Sequence, residues 1–223
     1  MSLHTPIRAC LFDLDGVLVD TAKYHYLAWK RLAGELGFDF TEQDNERLKG
    51  VSRMASLDIL LSIGGISPDE TTRLALAEKK NGWYVDYITR MDESEILPGA
   101  LAFLQELKAA GLLVALGSAS KNAMTILNNT KLAPYFDAIV DGTKTASAKP
   151  DPEVFLLGAR ELKVSPAECV VFEDAEAGIE AAIHAGMRSI GVGSETTLGR
   201  ADAVVSSLRE MSLGRLAEIF PSS

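Results

Sequence analysis

Two aspartates one residue apart, Asp13 and Asp15, directly follow the apolar run Ala9-Cys10-Leu11-Phe12 and directly precede Gly16. The run reads as a short buried strand. Side chains alternate along a strand, so both carboxylates leave it on one face, with Leu14 on the other. Gly16 then lets the chain turn sharply. Alone, such an exit is an ordinary acidic turn. Its chemistry depends on what else arrives there. An aspartate with an unperturbed pKa near ~4 is ionised at neutral pH and needs no base to act as a nucleophile. Against a phosphate it needs a cation, because two like unit charges ~4 Å apart repel by about 1 kcal/mol even in water and by more at a protein surface.

The elements that would position these groups are legible from hydrophobic spacing. After Val17 comes a helical stretch. Tyr24, Ala28, Leu32 and Leu36 recur every four residues and stop at Gly37. A short helix follows over 41–48, capped by Thr41. Ser52 caps another from Arg53 that Gly64-Gly65 ends. Ser67-Pro68-Asp69-Glu70 predicts a further helix start, with Ser67 as cap and Pro68 at the first position, running to about Met91. Pro98-Gly99 returns the chain to alternation. Strands are expected at 112–116, 138–140, 169–172, 189–192 and 203–205. Helices are expected around Leu101-Leu104-Leu107, then at 120–129, 152–162 and 175–185, and finally to about Ile219. Such alternation predicts an α/β fold: a Rossmann-like core with a parallel sheet of five or six strands, helices on both faces and an inserted all-helical cap. The domain boundaries expected are 1–18 plus 93–223 for the core and 19–92 for the cap.

In such a sheet the residues just beyond the strands gather at one edge. They are Asp13 and Asp15, Ser118, and Glu173-Asp174, with Lys149 just before a helix that leads to the later strand. Carboxylate oxygens without a histidine or thiolate cluster suit Mg²⁺, which would bridge carboxylate and phosphate beside Lys149. The chemistry this predicts is phosphoryl transfer to Asp13. Asp15 would give a proton to the leaving oxygen and take one from the attacking hydroxyl.

Composition narrows the partners. The chain has 223 residues and a net charge of −9, which argues against nucleic acid or an anionic membrane as a partner. No apolar run approaches the ~18 residues needed to span a bilayer, and the start lacks a signal-peptide pattern. Cys10 and Cys169 both lie in apolar strand-like runs and read as buried thiols. A cytoplasmic monomer is the expectation.

Asp13-Leu14-Asp15-Gly16, Ser118, Lys149-Pro150 and Glu173-Asp174, in this order over nearly the whole chain, resemble the haloacid dehalogenase superfamily of phosphotransferases. The resemblance implies that Asp13 carries the phosphoryl group and Asp15 is the acid/base. It implies that Ser118 and Lys149 hold the transferring phosphoryl, and that Asp13, Glu173, Asp174 and the Asp15 backbone carbonyl bind Mg²⁺. Further stretches, 20–25, 48–53, 79–81 and 118–122, are similar to the sugar phosphomutases of that superfamily. This implies a phosphorylated hexose substrate, a bisphosphate intermediate and a second phosphate site. Gly50, Val51 and Arg53 would come to it from the cap, and Ser118, Ala119, Ser120, Lys121 and Asn122 from the core. Thr21, His25 and Lys80 are implied at the interface between the two, assisting closure and proton transfer. Free N–H groups at the start of a helix from Ser120 would face the anion, and Arg53 would offer a bidentate fork.

Taken singly, Arg53, Lys80 and Lys121 also read as solvated charges, and His25 equally as a packed residue. Trp29, Trp83 and Tyr84 read as packing within the cap, and His4 and His184 as non-functional. A sugar-phosphate phosphatase on the same scaffold is the alternative function.

Overall fold

The computed structural model describes residues 6–48 and 51–221. Six parallel strands form one sheet in the order β3-β2-β1-β4-β5-β6. They are β1 (Ala9–Phe12), β2 (Leu113–Gly117), β3 (Ala138–Val140), β4 (Cys169–Glu173), β5 (Arg188–Val192) and β6 (Ala203–Val205). β1 lies at the centre, pairing Phe12 with Leu116 of β2 and with Phe172 of β4. Strand order reverses at this point, which places a ligand crevice beyond its carboxyl end.

Alternation along β1 sorts its residues between two cores. Cys10, Phe12 and Leu14 pack on one face, with α5 (Ala100–Ala109) and α6 (Ala123–Asn129). Ala9 and Leu11 pack on the other, with α7 (Glu153–Leu162) and α8 (Glu176–His184). Phe12 stacks on Phe172 at 4.6 Å, and Phe103 meets both edge-on at 6.1 and 5.4 Å. Aromatic pairs of this kind add about 0.5–1.5 kcal/mol each beyond burial, enough to hold the strand tip rigidly. Cys10 and Cys169 are free and buried.

Between β1 and α5 lie four helices, α1 (Ala22–Glu35), α2 (Glu42–Glu46), α3 (Arg53–Gly64) and α4 (Glu70–Ile88). They enclose a third apolar cluster that includes Trp29, Leu32, Phe40, Leu57 and Leu60. The two strands of chain joining this block to the sheet run side by side. Asp20 N–H donates to Glu95 O at 2.9 Å, and Leu97 N–H to Leu18 O at 2.9 Å. Glu95 also accepts from Lys23 Nζ at 2.5 Å and Tyr24 OH at 2.6 Å.

Several boundaries differ from the sequence reading for local reasons. α4 begins at Glu70 because the Asp69 carboxylate, not the Ser67 hydroxyl, accepts the N–H of Thr72. It ends at Ile88, three residues before Met91. α6 begins at Ala123 rather than Ser120. The Ser118 and Ser120 hydroxyls accept the N–H groups of Ser120 and Asn122, and these side-chain turns hold the backbone off the helix. The C-terminal stretch contains α10 (Leu213–Ile219), preceded by a separate single turn at 208–210, and a short α9 (Glu195–Leu198) lies before β6. Gly50 lies outside the described residues.

Candidate active site

Asp13 sits one step beyond β1, its N–H given to Phe172 O at 3.0 Å, with only 7% of its surface exposed. Glu173 closes β4 beside it and is 1% exposed. Lys149 reaches the same point from the segment before α7. Its Nζ donates to Asp13 Oδ1 at 2.5 Å and to Glu173 Oε1 at 2.6 Å, and it lies 4.9 Å from the centre of the Phe155 ring. The other Glu173 oxygen accepts from Ala175 N–H at 2.9 Å. Ser118, 1% exposed, follows β2 one strand away.

The electrostatics follow from this burial. Burial pushes the Asp13 carboxyl up to about 7, against the pull of the Lys149 charge and with Glu173 adding to the rise. Burial would lower Lys149, but Asp13 and Glu173 more than offset it and hold the ammonium charged. Burial also raises Asp15, opposed first by a hydrogen bond from Thr21 Oγ1 to its Oδ1. Its own N–H turns back to Asp13 Oδ2 at 3.1 Å.

Carboxylate oxygens of Asp13, Glu173 and Asp174 all lie within 4.8 Å of one another. One ammonium cannot neutralise this set. Its all-oxygen donors, free of thiolate or imidazole, fit a hard divalent cation. Two glycines make room for the acids. A Cβ on Gly16, whose φ is +83°, would stand 2.1 Å from Asp174 Oδ2. A Cβ on Gly178 would stand 1.9 Å from Glu173 Oε1. Gly16→Ala is therefore expected to displace the Asp174 carboxylate by several tenths of an ångström and lower turnover on the order of tenfold. Steady-state rates checking this variant would contradict the geometry if they matched wild type.

A cavity of about 550 Å³ opens above these residues, between the sheet edge and the helical block. From the core, Ala119, Ser120, Lys121 and Asn122 line it with Asp13, Asp15, Ser118 and Lys149. From the helices come His25, Val51, Arg53 and Lys80. Thr21 stands behind Asp15, fully buried and off the cavity wall. Asn122 Nδ2 reaches across to Asn81 Oδ1 of α4 at 3.4 Å.

The helical wall carries a buried pair. Lys80 is 2% exposed, and its Nζ lies 3.0 Å from His25 Nδ1 and 4.4 Å from the centre of the Trp29 ring. Burial, then the Arg53 charge, lowers Lys80 to about 7. Burial, then Lys80 and Arg53, keeps the His25 imidazole neutral, well below its ordinary value. Tyr84 stacks on His25 at 4.0 Å and also lines the cavity. Packing alone does not describe it. The missed signal is its spacing: Lys80 and Tyr84 are four residues apart on α4 and so share one face. Gly178 was likewise not legible as a site residue, whereas Asn81 lies in the stretch 79–81 that the resemblance singled out, without a role assigned to it. Glu153 was missed too: its Oε2 accepts the N–H groups of Ala146 and Ser147 at 2.9 and 2.7 Å, fixing the cavity-lining segment before Lys149.

A buried aspartate at the tip of the central strand, a lysine bridging it to a second acid, and a helical block over the crevice define a class of protein. The pattern of the haloacid dehalogenase-like hydrolases matches residues 7–186, and the chain belongs to that family. Among its relatives, the β-phosphoglucomutase of Bacillus subtilis (strain 168) is 42% identical over 214 residues, covering 95% of each chain. A phosphorylated carbohydrates phosphatase of Thermotoga maritima is 34% identical over 185 residues, 82% of this chain and 84% of its own. The crystal structure of β-phosphoglucomutase from Clostridium difficile superposes with a TM-score of 0.91 at 42% identity, covering 96% of this chain and 97% of that one. No helix among the described residues is long and apolar enough to cross a membrane.

Proposed function

We propose that this protein is a β-phosphoglucomutase, an isomerase that interconverts β-D-glucose 1-phosphate and glucose 6-phosphate through a phospho-Asp13 enzyme and a β-glucose 1,6-bisphosphate intermediate. The observation that carries the reading is the 42% identity to a protein of that activity over 95% of both chains. The cavity supports it, because cations beyond Lys149 line it. Lys149 pairs with Asp13, and Arg53 and Lys121 line the same cavity. A molecule that carries two phosphates needs more than one cation.

Asp13, Glu173 and Asp174 would hold Mg²⁺, which when bound supplies positive charge that offsets carboxylate–phosphate repulsion. The chain's own residues do the rest. The Asp13 oxygen attacks phosphorus in line with the leaving sugar oxygen. Lys149 and Ser118 hold the equatorial phosphoryl oxygens as charge spreads over them. Asp15 protonates the leaving oxygen, then deprotonates the hydroxyl that takes the phosphoryl back. The helical block, residues 19–92, acts as a cap whose closure admits a sugar hydroxyl to phospho-Asp13 and keeps water out. Val51, Arg53, Ala119, Ser120, Lys121 and Asn122 hold the phosphate that is not being transferred.

Product analysis with β-glucose 1-phosphate, Mg²⁺ and a trace of bisphosphate tests the reading. Glucose 6-phosphate is the expected product, with turnover abolished by a chelator. Stoichiometric free phosphate in its place would make the protein a sugar-phosphate phosphatase.

A further inference from the structure

His184 has no role in the sequence reading, yet its ring reaches the segment that carries Lys149. It closes α8, and its Nδ1 lies 3.1 Å from the carbonyl oxygen of Pro150, the residue after Lys149. A carbonyl oxygen only accepts, so the ring nitrogen that faces it carries a proton. On the other edge of the ring, Nε2 lies 4.0 Å from Glu180 Oε1, one turn earlier on α8. Glu180 is itself paired with Arg200 at 3.4 Å. The carboxylate draws the Nε2 edge toward itself and so aims Nδ1 at Pro150. Pro150 has no N–H to give, so its carbonyl is the only backbone group by which it can be tied. The rest of the segment is held from nearby in the chain. Asp151 N–H returns to Ala148 O at 3.0 Å, and the Glu153 carboxylate accepts from Ala146 and Ser147. The bond from His184 ties this backbone to α8, 34 residues away.

The same helix also meets the acid that Lys149 pairs with. Gly178 of α8 backs onto Glu173 so closely that a Cβ there would stand 1.9 Å from Oε1. That oxygen is the one that accepts from Lys149 Nζ at 2.6 Å. One helix thus touches both halves of the ion pair, the carboxylate through Gly178 and the lysine's backbone through His184. We infer that His184 is a positioning residue for Lys149, tying the backbone just after the lysine to the helix that backs its carboxylate partner. The inference rests on the reading of Lys149 as the group that holds the transferring phosphoryl. The ammonium stands on a flexible four-carbon stem, so its place depends on where the base of that stem is fixed. In the arrangement seen, Asp13 and Glu173 hold the ammonium. When Asp13 takes up the phosphoryl group its pull on Lys149 changes, and the ammonium must follow the charge onto the phosphoryl oxygens. A fixed backbone then decides how far it strays. The effect belongs to the chemical step and not to substrate binding.

The His184 side chain is 50% exposed, so substitutions there leave the protein folded. His184→Ala and His184→Leu both remove the donor, and Leu keeps the bulk. In each, kcat is expected to fall about fivefold with KM for the phosphosugar within about twofold of wild type. Turnover is counted as β-glucose 1-phosphate consumed, whichever product forms. His184→Asn sets an amide N–H as many bonds from Cβ as Nδ1 is, and is expected to restore kcat to within about twofold of wild type. Wild-type turnover in His184→Ala overturns the inference. So does full turnover in His184→Leu, which would make bulk the requirement, or an Asn variant no better than Leu, which would make the donor irrelevant. A loss confined to KM also overturns it, because that marks weaker binding and not a displaced Lys149. Lys149→Ala, assayed below its melting temperature, separates the two levels. Full turnover there removes the reading of Lys149 and this inference with it, whereas an impaired Lys149→Ala beside a wild-type-like His184→Ala removes this inference alone.

Discussion

Asp13→Asn is expected to lose turnover by more than about a hundredfold while the protein stays folded. The amide is nearly the same size and shape as the carboxylate but cannot carry a phosphoryl group. Its effect on folding runs the other way. Asp13 is one of three acids whose oxygens crowd within 4.8 Å, and burial already lifts its pKa to about 7. Removing one charge leaves Lys149 its second partner, Glu173 Oε1 at 2.6 Å. The melting temperature of the metal-free variant is therefore expected to equal or exceed that of wild type. Rapid-quench assays for acid-stable, hydroxylamine-sensitive label on the protein complete the test. Retained turnover, or label on another residue, would rule out Asp13 as the carrier.

Lys149→Ala is the variant expected to damage folding most. The ammonium side chain is 2% exposed and pairs with two carboxylates whose side chains are 10% and 1% exposed. Removing one partner of a buried ionic cluster destabilises by about 3–5 kcal/mol. At about 2–4 °C per kcal/mol for a chain of this size, the melting temperature should drop by roughly 6–20 °C. Turnover should fall as well, since the phosphoryl oxygens lose a fixed cation. The stability loss should depend on pH. Burial already raises Asp13 from 3.8 to about 7, and losing the Lys149 charge raises it further. A folded-state value above the unfolded one means that the folded form binds more protons between the two. The contribution of Asp13 to the variant's stability is then greatest below ~4 and is lost as pH rises toward the folded-state value, which lies above 7. Calorimetry at pH 5 and pH 8 should show the larger deficit at pH 8. Melting within 2 °C of wild type at both would mean that Lys149 is not the charge that makes this cluster tolerable.

Much of this was legible locally. The run Ala9–Phe12 ends in two acids and a glycine, and that pattern alone set the strand, the direction of Leu14 and the turn. β3 and β6 fall where apolar runs bounded by turn residues place them. Thr41 and Ser52 cap the helices they precede. What failed locally was also local in cause. At Ser118 and Ser120, side-chain capture of the next N–H groups competes with helix initiation. Hydrophobic spacing does not register that competition.

By itself, then, the sequence determined the family, the order of strands and helices and the identity of the acids, because these depend on residue type and short-range period. Tertiary structure alone decided which charges meet. Lys149 and Asp13 are 136 residues apart, and their pairing at 2.5 Å depends on α7 packing against the central strand, with Leu11, Val154 and Phe155 in one cluster. It also decided that Thr21 faces Asp15 rather than the cavity, and that His184 meets the carbonyl of Pro150. Burial and hydrogen-bond direction are properties of the assembled core and helices, fixed by how distant segments pack and carried by no single stretch of chain.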